Sequence, residues 1–215
     1  MSSDSDSSSP GPLSPFESKA RIHAHVAFFA FVVALPIGVL IPRYLRTFKW
    51  SKSWLWPHLI VNFFLTGPLV FYSFALGYQV SSPGPHFSDP HQKGGLALLI
   101  LYLLQVSLGS FIHWVKIPFR FPGGRPPQNY LHAILGLSII ALASWQTHYG
   151  LWTEWALATG NAHPVNWKCK HFWLGIMISI WSLYAIGLLL LPRQLKQEKA
   201  SRNGRSKKAG SLDSA

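Results

Sequence analysis

RIHAHVAFFAFVVALPIGVLIPRYLR, residues Arg21 to Arg46, decides the fold. A histidine stands at its head, a run without formal charge extends from Ala24 to Ile41, and Arg43 and Arg46 close it. As a helix, Ile22 to Ile41 is roughly 30 Å long, the thickness of a bilayer core. Four further apolar runs follow: Leu59 to Tyr78, Gly94 to Ile112, Ala133 to Trp152 and Phe172 to Leu191. Each is long enough to span. Pro36 and Pro68 interrupt two of the five and predict kinks, which bundled membrane helices tolerate when neighbours satisfy the freed carbonyls.

Composition points the same way. Of 215 residues, 49% are hydrophobic and only 12% charged, against roughly 25% charged in soluble domains, so the class is an all-α membrane protein. The seven acids all fall outside the apolar runs, which excludes a carboxylate proton relay through the membrane. A net charge of +12 can signal nucleic acid, but here the cations sit in short connections and in the C-terminal segment. Membrane lipid and topology account for them, and no nucleic-acid partner is expected. A single cysteine, Cys169, excludes an internal disulfide, a CxxC redox pair and covalent haem attachment through CxxCH. Residues 1–20 read as a disordered Ser/Pro-rich tail, 21–192 as the transmembrane domain and 193–215 as a basic disordered tail.

Cytoplasmic connections carry the excess of Lys and Arg. The first loop holds Arg43, Arg46, Lys49 and Lys52, the third holds Lys116, Arg120 and Arg125, and the C-terminal segment holds seven more. The opposite side has Lys19, Arg21, Lys93, Lys168 and Lys170. This places the N-terminus outside or in a lumen and the C-terminus in the cytoplasm. Trp50, Trp54, Trp56, Trp114, Trp152, Trp155, Trp167 and Trp173 lie near span ends, as an interfacial belt would.

Histidines mark the starts of four spans: His23, His58, His91 and His132. In an up-and-down bundle alternate helices run in one direction, so His23 shares a level with His91, and His58 with His132. Two imidazoles at each level could supply the two axial ligands of a haem iron, an arrangement suited to electron transfer. The residues one turn on, Ala27, Asn62, Gly95 and Gly136, are small enough to admit a flat macrocycle. His25 points away from His23 on the same helix and is followed by Phe29, so His23 is the better ligand, while His171 with Gly175 passes the same test. Gln105 returns to the face of His91 and reads equally as a hydrogen bond near a cofactor or as helix glue.

At these residues the chain resembles the cytochrome b561 family, in particular its ferric reductase and DOMON-associated branch. The matching pieces are HAHVAFFAFVVALPIGVLIPRY, WLWPHLIV, PHQKGGLALLILYLLQVSLGSFIHW and NYLHAILGL, which together cover about Arg21 to Trp152. The resemblance implies two haem b groups, held by His23 with His91 and by His58 with His132. It also implies a basic cluster at Arg43 and Arg46 that meets the donor or a haem propionate. Ala27 and Leu137 stand where the family usually has a methionine and often an arginine, and five spans replace its usual six.

The expectation is therefore a four-helix haem-binding bundle with one flanking helix, carrying electrons across a membrane. The donor would be a cytoplasmic reductant such as ascorbate, and the acceptor an outer ferric chelate or monodehydroascorbate. Two other classes stay open: a haem-free multi-pass scaffold or transporter subunit with interfacial histidines, and a transition-metal site at one histidine cluster.

Overall fold

The computed structural model describes residues 11–47, 53–82, 84–115 and 125–212, and among them every regular element is a helix. Lys49, Trp50, Lys52, Lys116, Arg120 and residues 1–10 lie outside the described residues, as do the side chains of Arg202, Arg205, Lys207 and Lys208. Five helices are long and apolar enough to cross a membrane: α1 (Pro15–Leu45), α2 (Leu55–Val80), α3 (Pro90–Trp114), α4 (Pro127–Thr159) and α5 (Trp167–Leu188). This is the make-up of a multi-pass integral membrane protein. In α3 only 11% of the most apolar window is buried. Ile100, Leu103 and Leu104 therefore face outward, a surface that lipid tails cover without penalty.

Local chemistry sets the ends. Ser14 and Glu17 form a reciprocal capping box: Glu17 N–H donates to Ser14 Oγ at 3.2 Å, and Ser14 N–H donates to Glu17 Oε2 at 2.8 Å. The helix consequently begins at Pro15, and residues 15–20, expected within a disordered tail, are its first turns. α3 starts on Asp89, whose side chain accepts the Gln92 N–H, with Pro90 behind it. α4 ends at Gly160, whose φ of 58° suits a residue without Cβ.

Wide turns precede the two prolines at which kinks are expected. Phe28–Ala34 and Ile60–Leu65 are π-helical, and they lie directly ahead of Pro36 and Pro68. Leu35 N–H bonds back to Ala30 and Thr66 N–H to Val61, five residues each, so the ladder is stretched on the approach to the proline that breaks it. Thr66 Oγ also donates to the Val61 carbonyl at 2.8 Å.

The first half of α1 packs on the second half of α2, and its second half on the start of α2, so the two are antiparallel. α3 lies against both α2 and α4, and α4 returns to α1, closing a ring of four. Its centre is Ala30, Leu35, Val70, Leu98, Tyr102, Ile139, Ile140 and Ala143. α5 flanks this ring on α1, running parallel to it, with Phe28 stacked on Phe172 near one end and Tyr44 bonded to the Leu183 carbonyl near the other. Trp173 does not join an interfacial belt: it is 7% exposed, packed on Val32 and Met177.

The C-terminal segment also differs from expectation, because it is helical from Leu191 to Leu212 (α6). Polar contacts tie it down. Gln194 donates to the Arg43 carbonyl and Thr47 Oγ1, and Glu198 pairs with Arg46 at 3.0 Å and Arg125 at 2.8 Å.

At the opposite end the segment before α1 is latched to the α4–α5 connection. His163 Nδ1–H donates to Glu17 Oε1 at 2.7 Å and its Nε2–H to the Gly11 carbonyl at 2.9 Å. Two acceptors require both ring nitrogens to carry hydrogen, which is the imidazolium. The bond to Glu17 holds the His163 pKa above its ordinary value, with the Gly11 carbonyl adding to the effect. The latch is complete below the ordinary histidine pKa of about 6.5 and is lost as pH rises through the raised value. Amide exchange at residues 11–20 should accelerate as pH rises through neutrality, beyond the intrinsic base catalysis. In His163→Gln that excess should be absent.

Candidate functional site

Each span-start histidine sits against a glycine of a neighbouring helix. A Cβ at Gly77 of α2 would lie 3.0 Å from His23 Cε1, one at Gly109 of α3 would lie 3.1 Å from His132 Cε1, and one at Gly150 of α4 would lie 3.2 Å from His91 Cε1. The missing side chains let the rings reach the backbone of the opposing helix. His58 uses Gly38 of α1 differently, bonding to its carbonyl.

Two of the rings are locked by carbonyl groups. His23 Nδ1–H donates to Ser73 O at 2.8 Å, and His58 Nδ1–H donates to Gly38 O at 2.7 Å. A helix normally spends each carbonyl on the N–H four residues on. At Gly38 that residue is Pro42, which has no N–H, so the carbonyl is free for His58. At Ser73 it is Gly77, whose bare Cα exposes the second lone pair of the carbonyl to His23. With Nδ1 protonated, Nε2 of each ring is a lone-pair donor, the state a metal ligand needs.

The locked rings face the other two. His23 and His91 have ring centroids 6.1 Å apart at 80°, and His58 and His132 are 6.4 Å apart at 69°. α1 and α3 thus run in the same direction, as do α2 and α4, and the four imidazoles converge in two couples. Counting from His23 to Gly38 along α1, the couples are on the order of 20 Å apart. His91 has the Gln146 amide nitrogen 3.1 Å from its Nδ1, while His132 Nδ1 is buried without a hydrogen-bond partner among the described residues.

The other histidines do not join these couples. His25 is exposed and bonds to the Arg21 carbonyl of its own helix, and His171 does the same with Trp167. His148 stacks on Trp152, and His86 on Tyr78. No group of three or more His, Cys, Asp and Glu gathers among the described residues.

Arg43 and Arg46 lie at the His58–His132 end. Arg43 donates to Tyr184 Oη at 2.7 Å, and Arg46 lies over the Trp54 ring at 4.3 Å, with Trp54 centred 6.3 Å from His58. Arg125 joins them through Glu198. Of the glycines expected to leave room for a macrocycle, Gly136 has its space taken by the Gln105 amide, and a Cβ at Gly95 would stand in ordinary contact, 3.7 Å, with the Gln146 amide, which packs more closely on the adjacent Gly94. Sequence reasoning missed Gly38, Pro42, Gly77, Gly109, Gly150, Gln146 and Arg125. The signal for the first two was a proline four residues after a glycine; for Gln146 it was the 14-residue His–Gln interval already visible in α3. No protein-family model, curated protein or solved structure matches the chain.

Gly77→Ala should push the His23 ring off Ser73 and lower stability by about 1–3 kcal/mol, the usual cost of overpacking. Gly175→Ala, where nothing lies within 4 Å, should have no such cost. Thermal unfolding in detergent compares the two.

Proposed function

We propose that the chain is a transmembrane electron conduit holding two b-type haems, with His23 and His91 as axial ligands of one and His58 and His132 of the other. One observation carries this reading. With metal–nitrogen bonds of about 2.0–2.1 Å and about 1.1 Å from ring centre to nitrogen, two imidazoles on one metal have centroids roughly 6.3 Å apart. The couples stand at 6.1 and 6.4 Å. The backbone carbonyls behind His23 and His58 supply the outer partner that metal-bound histidine typically has.

When bound, haem supplies reversible one-electron chemistry of iron. The chain's own part is to hold the rings, keep the space between the levels dry with Val70, Leu98, Tyr102 and Ile139, and present cations at one end. By the charge rule that end, with Arg43, Arg46, Arg125 and α6, is cytoplasmic. Ascorbate or another small anionic reductant would meet Arg43 and Arg46 there. A ferric chelate or monodehydroascorbate would accept the electron at the His23–His91 end.

A reduced-minus-oxidised spectrum of the purified chain with ascorbate should show b-type haem. His58→Ala and His132→Ala should each remove one of two redox components. The glutamines packed beside Gly94 and Gly136 favour a second reading, a haem-free scaffold, in which these substitutions leave the spectrum unchanged.

Glu198 already occupies Arg46 and Arg125. Glu198→Gln should therefore lower the ascorbate concentration needed for half-maximal reduction, and leave reduction by dithionite as it was.

A further inference from the structure

α3 and α4 carry one spacing of four residues. His91, Gly95, Gln105 and Gly109 on α3 stand at the same intervals as His132, Gly136, Gln146 and Gly150 on α4. Because the helices are antiparallel, the head of each motif meets the tail of the other. Gln105 Nε2 donates to the His132 carbonyl at 2.9 Å, and Gln146 Nε2 donates to the His91 carbonyl at 2.5 Å. Gly109 backs the His132 ring and Gly150 the His91 ring, while Gly136 makes room for Gln105, with a Cβ there only 2.9 Å from its amide nitrogen.

Both amides keep a buried oxygen without a hydrogen-bond partner among the described residues. An orphaned acceptor of this kind costs on the order of 1–3 kcal/mol, so a leucine would serve better at either position if packing were the only task. The histidines these amides hold are also the two that lack a carbonyl acceptor for Nδ1. His23 and His58 have Ser73 and Gly38, whereas His91 has only the Gln146 amide nitrogen and His132 has none. Each couple is one ring locked by a carbonyl and one whose own backbone is tied by a glutamine.

We infer that Gln105 and Gln146 are positioning residues that act crosswise: each steadies the ligand histidine of the neighbouring helix, not the one on its own. By pinning the carbonyl of His132 or His91, the amide fixes the turn from which that ring projects, and so the angle at which the ring meets its metal. This rests on the reading of the couples as axial ligands.

The test uses the full chain purified with haem, followed by potentiometric titration and low-temperature electron paramagnetic resonance. His23→Ala and His58→Ala assign the two signals. Gln105→Met keeps the side-chain length and removes the donor. It should shift the potential and g-values of the haem at His58–His132, although Gln105 shares α3 with His91. Gln146→Met should shift the haem at His23–His91 alone. Gln105→Asn and Gln146→Asn, which keep a shorter donor, should shift the same signal by less, and they carry the test if a methionine variant does not fold. Shifts that follow the residue's own helix, or a lowered melting temperature with both haem signals unmoved, would overturn the crosswise assignment while leaving the haem reading intact. A wild-type chain without b-type haem overturns that reading and this inference with it.

Discussion

An imidazole placed among apolar helices needs an acceptor for its N–H, yet every carbonyl within reach belongs to a helix that has already spent it. This chain meets that constraint twice, by different means. Pro42 withholds the N–H that would have claimed Gly38 O, and the bare Cα of Gly77 opens Ser73 O to a second donor. His58 and His23 are fixed as a result, with Nε2 left as a lone pair.

The two ends of the bundle are finished by opposite charges in similar ways. At one, the carboxylate of Glu198 on α6 gathers Arg46 and Arg125, with Gln194 bonded to Thr47 beside it. At the other, Glu17 at the head of α1 takes a proton-bearing ring from the α4–α5 connection. A chain with seven acids has used two of them as clasps between segments distant in sequence. Both clasps sit outside the apolar centre, where solvation keeps an ion pair affordable.

Between these ends, α3 and α4 form a hairpin whose halves answer one another. Antiparallel packing of two copies of one spacing brings each glutamine to the carbonyl of the opposing histidine and each glycine to its ring. α1 and α2 repeat the exchange with Gly38 behind His58 and Gly77 behind His23. Four imidazoles thus come to two levels through reciprocal contacts.

Five spans, their all-helical character and the histidine at the head of four of them are properties of the linear sequence, because hydropathy, length and alternation of direction do not depend on packing. The pairing of His23 with His91 and His58 with His132 followed from that alternation alone. Tertiary structure decided the rest. Whether His23 or His25 meets a partner depends on which face of α1 meets α2, and which carbonyl is free depends on a proline or glycine on a different element. The capping box extended α1 back to Pro15, through a bond local enough to have been read from Ser14 and Glu17. The helix at Leu191–Leu212 could not be read, since its anchors, Arg43, Thr47, Arg46 and Arg125, lie from 73 to 152 residues away and are brought there only by the fold.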